Sequence, residues 1–318
     1  MIGDKKLIGV CIAGIHDPAQ ISYLNQLYNY AQKNDYKLII FNSFTDAGSQ
    51  NTFHNDAGAI YRLINFKCID ALAIHSQSIS DPALVNLLSK RAESHDVTLL
   101  SDDVFLSEAS SSDSRQPVYT DDIIDLHHVM KDSMFHEDFM YEWLSRILAV
   151  RDAKELDSLL SEIILFNSHI CLNQNIIDLI IHDAPQGRDC FSENPIVISS
   201  QLIASDREAT DNFSLSDMIP HCKEWSTDNT AYILSTIHAN GKVFGYYALR
   251  TNDFITMTAP LKRVVSALNL AFHIVSGRFR HTDMSLSLKN AVLTDTDKHL
   301  PLNVLIEKNL FFYQSKNR

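Results

Sequence analysis

Between Lys6 and Val104 one unit recurs four times: an apolar run of β type, a polar break at its end, then an amphipathic helical stretch. The runs are KLIGVCIA, YKLIIFNSF, IDALAIHS and VTLLSDDV. Alternation of this kind excludes an all-helical bundle and an all-β sandwich, because only a parallel sheet flanked by helices buries both kinds of apolar surface. Open sheets of this type hold ligands outside the carboxyl ends of their strands. The polar breaks that follow the strands are therefore the first place to look for a site.

The intervening stretches carry local helix signals. After AGIHDP, a helix over 19–34 places Ile21, Leu24, Leu27, Tyr28 and Ala31 on one face. Past the break TDAGSQN, the residues Ala59, Ile60, Leu63 and Ile64 form the next buried stripe. Asp81-Pro82 supplies a capping carboxylate and a proline at the first helical position, followed by an inner face of Leu84, Leu87, Leu88 and Ala92. The fourth run ends in Asp102-Asp103, and SEASSSDSRQ after it has the composition of an exposed loop.

Beyond Phe135 the grammar changes. Helical periodicity runs to Val150, and Asp152 with Glu155 three residues on approximates a capping box before Leu156, Leu159, Leu160, Ile163 and Ile164. Strands are expected at 168–172 and 196–203. In TAYILSTIHANGKVFGYYALRT, Asn240-Gly241 sits between two alternating runs, the pattern of a type I′ hairpin, so an antiparallel sheet is expected here. Phe244 and Tyr246 are then expected on one face of the strand, with Val243, Gly245 and Tyr247 on the other. A long helix over about 258–293 keeps a seven-residue spacing in two rows. Leu261, Leu268 and Val275 form one row, and Val265, Phe272, Phe279 and Leu286 the other. The organisation expected is an α/β lobe with a doubly wound parallel sheet over 1–134, a helical connector over 135–166, an α+β domain with an antiparallel sheet and the long helix over 167–293, and a tail over 294–318.

With 39 acidic against 27 basic residues the formal net charge is −12, which argues against broad binding to phosphate backbones or anionic lipid. No apolar run is long enough to span a bilayer, and Met1 leads almost at once into a strand without a secretion-type leader. Cys11, Cys68, Cys171, Cys190 and Cys222 are scattered and form no C-x-x-C pair, a usage that suits reduced thiols in a cytoplasm. Among the 14 histidines none has H-E-x-x-H spacing, and His127-His128 are adjacent, so no metal is expected. Nor is a cofactor: the chain has no P-loop, no dinucleotide glycine fingerprint and no G-x-S-x-G elbow.

The stretch KLIGVCIAGIHDPAQISYLNQLYNYAQKNDYKLIIFNS, then CIDALAIHS, the acidic end of VTLLSDDV, and PVYTDD resemble the sugar-binding domain of Lac-repressor-type regulators and periplasmic binding proteins of that fold. The resemblance covers about the first 130 residues, one of the two lobes between which that family holds its ligand. CLNQNI, FSLSDMIP, the hairpin with KVFGYYALR and the long helix look like a GAF-type sensor domain, as found after such lobes in bacterial diguanylate cyclases. The resemblance implies a sugar-like ligand, dimerisation through the long helix, and an output domain and second lobe that are either lost or supplied in trans.

Asp17, His75, Ser76, Asp102, Asp103 and Asp121 are the candidate ligand residues, since carboxylates and hydroxyls at strand ends suit sugar hydroxyls. The alternative is that they cap helices and satisfy loop amides. In the second domain Tyr232, His238, Tyr246, Tyr247 and Arg250 are candidates for a small-molecule pocket or, alternatively, for core packing. Leu261, Val265, Leu268, Phe272, Val275 and Phe279 are candidates for a dimer seam or for packing on the domain's own sheet. The function expected is a non-enzymatic cytoplasmic signalling protein that senses a small molecule or partner, with no direct contact to nucleic acid or membrane. The alternatives are a dimeric scaffold without ligand and an enzyme of unrecognised type.

Overall fold

The computed structural model describes residues 6–44, 57–101, 137–149, 158–160, 162–165, 168–173, 190–199, 214–219 and 230–292, without the side chains of 137–141, 148, 199 and 277–292. The strands are β1 (Lys6–Ala13), β2 (Tyr36–Ser43), β3 (Ala71–Ile74), β4 (Thr98–Leu100), β5 (Ser168–Leu172), β6 (Ile196–Ser199), β7 (Ala231–Ala239) and β8 (Lys242–Thr251). The helices are α1 (Pro18–Lys33), α2 (Pro82–Glu93), α3 (Glu137–Ala149) and α4 (Phe254–Val292), with a 3-10 helix at Ala57–Leu63. The class is α/β, as expected. SEASSSDSRQ, PVYTDD, His127-His128 and the tail over 294–318 lie outside the described residues.

Parallel and antiparallel strands form one eight-stranded sheet in the order β4-β3-β1-β2-β7-β8-β5-β6. The join is β2 with β7, which run parallel from Leu38 beside Ala231 to Asn42 beside Ser235. Sequence reading assigns these strands to separate domains because nothing local links positions 193 residues apart. Physically each needs the other. Both are buried on both faces, and an uncovered edge of β2 would leave a row of backbone donors and acceptors unpaired.

Each face of the sheet is covered. On one face α1, through Leu24, Leu27 and Ala31, packs beside α4, and Trp143 of α3 joins the same core with its indole N–H donated to the Leu159 carbonyl at 2.7 Å. The opposite face carries the 3-10 helix, Leu88 and Ala92 of α2, and Met218-Ile219. α1 starts where Asp17 accepts from the Ala19 N–H with Pro18 at the first position, and α2 repeats the device with Asp81, Ala83 and Pro82. α4 begins four residues before the expected start because Asp253 Oδ1 accepts from the Ile255 and Thr256 N–H groups.

Leu261, Val265, Leu268, Phe272 and Val275 are buried against the chain's own sheet, and Phe272 stacks on Phe244 with centroids 4.6 Å apart. Burying such a side chain contributes about 1.5–3 kcal/mol. Packing on the sheet therefore accounts for the seven-residue spacing as far as Val275, and these five side chains are not available to a second copy. The side chains of Phe279 and Leu286 lie outside the described residues.

The hairpin forms as expected, with φ of +54° at Asn240 and +76° at Gly241. One expectation about its faces is corrected. Phe244 and Tyr247 lie in the core beneath α4, whereas Val243 and Tyr246 face the other way. The register slips between Ile237 and His238, leaving Phe244 as an extra residue opposite that step. Gly245 makes the slip possible: its φ is +154°, and a Cβ there would lie 2.0 Å from the Cys171 carbonyl oxygen.

Candidate functional site

β1 hands the chain to β2 on one side through α1, while β3 lies on β1's other side and continues to β4. The strand order reverses between β1 and β3, so the carboxyl ends of these two strands flank the crevice where a sheet of this kind takes a ligand. One wall is the loop Gly14–Asp17. It turns at Gly14, whose φ of +66° suits glycine, and the Gly14 N–H bonds the Ser43 carbonyl at 2.8 Å. Ile15 is buried, and its N–H is donated to Asn42 Oδ1 at 3.2 Å. Asn42, fully buried, donates in turn to the Ser235 hydroxyl at 3.1 Å. One amide side chain thus ties the crevice loop, β2 and β7 together.

The other wall is His75–Ser78. His75 donates its backbone N–H to the Cys11 carbonyl at 2.9 Å, and its ring lies 4.3 Å from that of Tyr23 on α1. The Ser78 hydroxyl donates to the His75 carbonyl at 2.9 Å and accepts from the Ala13 N–H at 3.0 Å, which bridges the two walls. Behind the first wall the buried Tyr61 hydroxyl donates to the Ile12 carbonyl at 2.8 Å, and its acidity is suppressed chiefly by burial.

At the lip of the first wall, His16 meets α4. Lys262 Nζ lies 2.7 Å from His16 Nε2. An ammonium can only donate, so Nε2 accepts and the ring proton sits on Nδ1. The His16 ring also lies 6.3 Å from Phe44 at the end of β2. Three elements distant in sequence therefore converge here.

Of the residues singled out from sequence, the structure brings Asp17, His75 and Ser76 to this crevice. Asp17 is exposed and committed to the α1 cap, Ser76 is exposed, and His75 is buried beneath Tyr23. Asp102, Asp103 and Asp121 lie outside the described residues. His16, Tyr23 and Lys262 were not singled out. The turn glycine before His16 and the Asp17-Pro18 start after it are a usable signal for the histidine, but no signal exists for a lysine 246 residues away.

The second group does not converge. Tyr232 and Tyr246 are in the core on the face away from α4, where the Tyr246 hydroxyl donates to the Met218 carbonyl at 3.0 Å. Tyr247 is on the opposite face, sharing its hydroxyl with Ser168 at 2.6 Å. His238, near the hairpin turn, donates its backbone N–H to Asn269 Oδ1 on α4 at 2.9 Å. Arg250 pairs in register with Tyr232, six residues from His238 and about 20 Å along the strand. These side chains pack or tie elements and enclose no common site.

Burial pushes the Cys171 thiol up to about 12, opposed in part by a hydrogen bond with Tyr246, and raises Cys11 as well, so neither is a ready nucleophile. Among the described residues no group of three His, Cys, Asp or Glu side chains is placed to hold a metal, and no described helix is long and apolar enough to cross a membrane. No family model, curated protein or solved structure matches the chain, so the crevice between β1 and β3 stands on its own geometry.

Proposed function

We propose that this chain is a non-enzymatic cytoplasmic sensor that takes a small molecule in the β1/β3 crevice and passes its occupancy to α4. One observation carries the reading: the crevice loop and the long helix are in direct contact through His16 and Lys262 at 2.7 Å. A ligand that binds one arrangement of that loop better than another shifts the arrangement of whatever the loop holds. The resemblance to Lac-repressor-type lobes and GAF-type domains agrees with this role.

The path of α4 suits transmission. It starts beside the lower half of α1, where Phe254 meets Tyr28 edge-on at 5.6 Å, passes His16 at Lys262, and reaches the level of the β7–β8 turn at Phe272. Twenty further residues of helix follow to Val292, about 30 Å of rise. We place the contact to an output partner or a second copy on that distal part.

Hydrogen exchange on the full chain tests the reading, with glucose, ribose, inorganic phosphate and citrate as probes and titration calorimetry to establish binding. A bound probe is expected to slow exchange in residues 14–17 and in the segment around Lys262 together. Binding that protects the crevice loop and leaves α4 unchanged would overturn it.

A second reading, a dimeric scaffold without ligand, is favoured by the commitment of Asp17 to its cap and by the Tyr23 ring over His75. A scaffold binds none of the four probes and sediments as a dimer.

A further inference from the structure

The lip of the first wall points to a ligand chemistry that differs from a sugar's. The described carboxylate at its lip, Asp17, is already bonded to the Ala19 N–H at 2.8 Å. Among the described residues, His16 at that wall is joined by the Lys262 ammonium and the Phe44 ring.

Lys262 is placed unusually for a lysine of an acidic chain. With 39 carboxylates to 27 basic residues, a partly buried ammonium ordinarily finds an acid; even the exposed Arg146 guanidinium does, in its two-pronged pair with Glu162 at 2.5 and 2.8 Å. Among the described residues no carboxylate pairs with Lys262; its partner is a neutral ring nitrogen. One N–H of the ammonium goes to His16, and among the described residues no other acceptor is bonded to the remaining two. His16 orients the ammonium without neutralising it. Lys262 is partly buried on α4, between the buried Leu261 and the exposed Arg263.

We propose that the lip of the crevice's first wall, where the β1–α1 loop meets α4, binds the oxyanion end of a small molecule, a carboxylate or a phosphate, on the Lys262 ammonium held in place by His16. The inference rests on the crevice reading above and adds the class of ligand to it. An oxyanion there gains a charge-assisted hydrogen bond in a partly desolvated position, where such contacts are stronger than on open surface. It also gives the His16–Lys262 contact a role in sensing, since an anion on the remaining N–H groups binds best when loop and helix keep that contact.

Titration calorimetry on the full chain tests this with inorganic phosphate, citrate and, as a neutral control, glucose. The expected result is binding of at least one anion, weakened about tenfold or more by Lys262→Gln, which corresponds to about 1.4 kcal/mol. Lys262→Arg, which keeps the charge and the stem, is expected to retain most of the affinity. Phosphate against citrate distinguishes the two sources of the oxyanion. Binding that is equal in wild type and Lys262→Gln, or heat from neither anion, overturns the proposal. Glucose binding that slows exchange in α4, with no anion binding, overturns it and leaves the sensor reading intact. Anion binding that is lost in Lys262→Gln but never alters exchange in α4 keeps the site and overturns the sensor reading.

Discussion

In the parallel half of the sheet, β1 reaches β2 through a sixteen-residue helix and β3 reaches β4 through a twelve-residue one, so strand ends are left open and loops stand over them. In the antiparallel half, β7 reaches β8 through two residues, and the end is closed by the turn itself. The same kinds of residue therefore meet different fates. His75 and Asp17 follow strands into loops and come to a crevice, whereas Tyr232, Tyr246 and Tyr247 stay within strands and are packed. The comparison teaches that connection length separates candidate site residues from core residues better than residue type does.

The comparison breaks most visibly if α4 belongs to an interface between copies rather than to the core of the antiparallel half. Phe272→Ala is expected to cost about 3–5 kcal/mol through loss of the ring stacked on Phe244. Urea unfolding should give the same lowered midpoint at all protein concentrations, and a midpoint that moves with concentration would place the ring between copies.

The glycines give a matched pair, one in each half. Gly245→Ala forces a Cβ into the Cys171 carbonyl and is expected to destabilise by about 3 kcal/mol or more. Gly14→Ala meets nothing closer than a His16 ring carbon at 3.9 Å, so only the left-handed backbone opposes it, about 1–2 kcal/mol. Thermal melts of the two variants rank them; equal losses would mean that the close approach at Gly245 relaxes freely.

The seam between the halves is sharpened by Asn42→Ala, which strands the Ile15 N–H and removes a partner of the Ser235 hydroxyl. A loss of about 2 kcal/mol is expected, with circular dichroism still showing one transition for both halves. Two separated transitions would show that β2 and β7 are not one cooperative unit.

The smallest effect is in alkali. Cys11 in the parallel half and Cys171 in the antiparallel half are both buried thiols whose acidity is suppressed by burial. The native state keeps a proton that the unfolded chain loses above about 9.0. This contribution to stability is full below pH 9.0 and is lost as pH rises toward about 12. Melting temperature against pH should be flat near neutrality and fall beyond 9.0, and Cys171→Ala should soften the fall. Under native conditions alkylation should label both thiols equally slowly; faster labelling of Cys171 would show that the antiparallel half opens alone.

Much of the parallel half was legible because its signals are local. Two caps with proline at the next position, Asp17-Pro18 and Asp81-Pro82, mark helix starts, and KLIGVCIA coincides residue for residue with β1. The hairpin turn was equally plain. Faces in the antiparallel half were not, since β8 is buried on both sides and alternation of polarity carries no information there; the slip beside Gly245 then put Phe244 and Tyr246 on opposite faces. Asp17 and His75 were found from their places after strands. His16 with Lys262, and Asn42 with Ser235, were not, because each pair is made by β2 meeting β7 and by α4 lying beside α1, which no short-range pattern encodes.

That meeting has a consequence for how the chain is made. β2 leaves the ribosome some 190 residues before the strand that covers it, and until β7 arrives its edge is an open template for any extended segment nearby. Closing so long a loop is slow, so the nascent protein passes through a period when a strand destined for burial on both faces is half paired. Expression at lower temperature or with chaperones in excess is therefore expected to raise the yield of soluble full-length chain, and a fragment that stops before β7 is expected to aggregate.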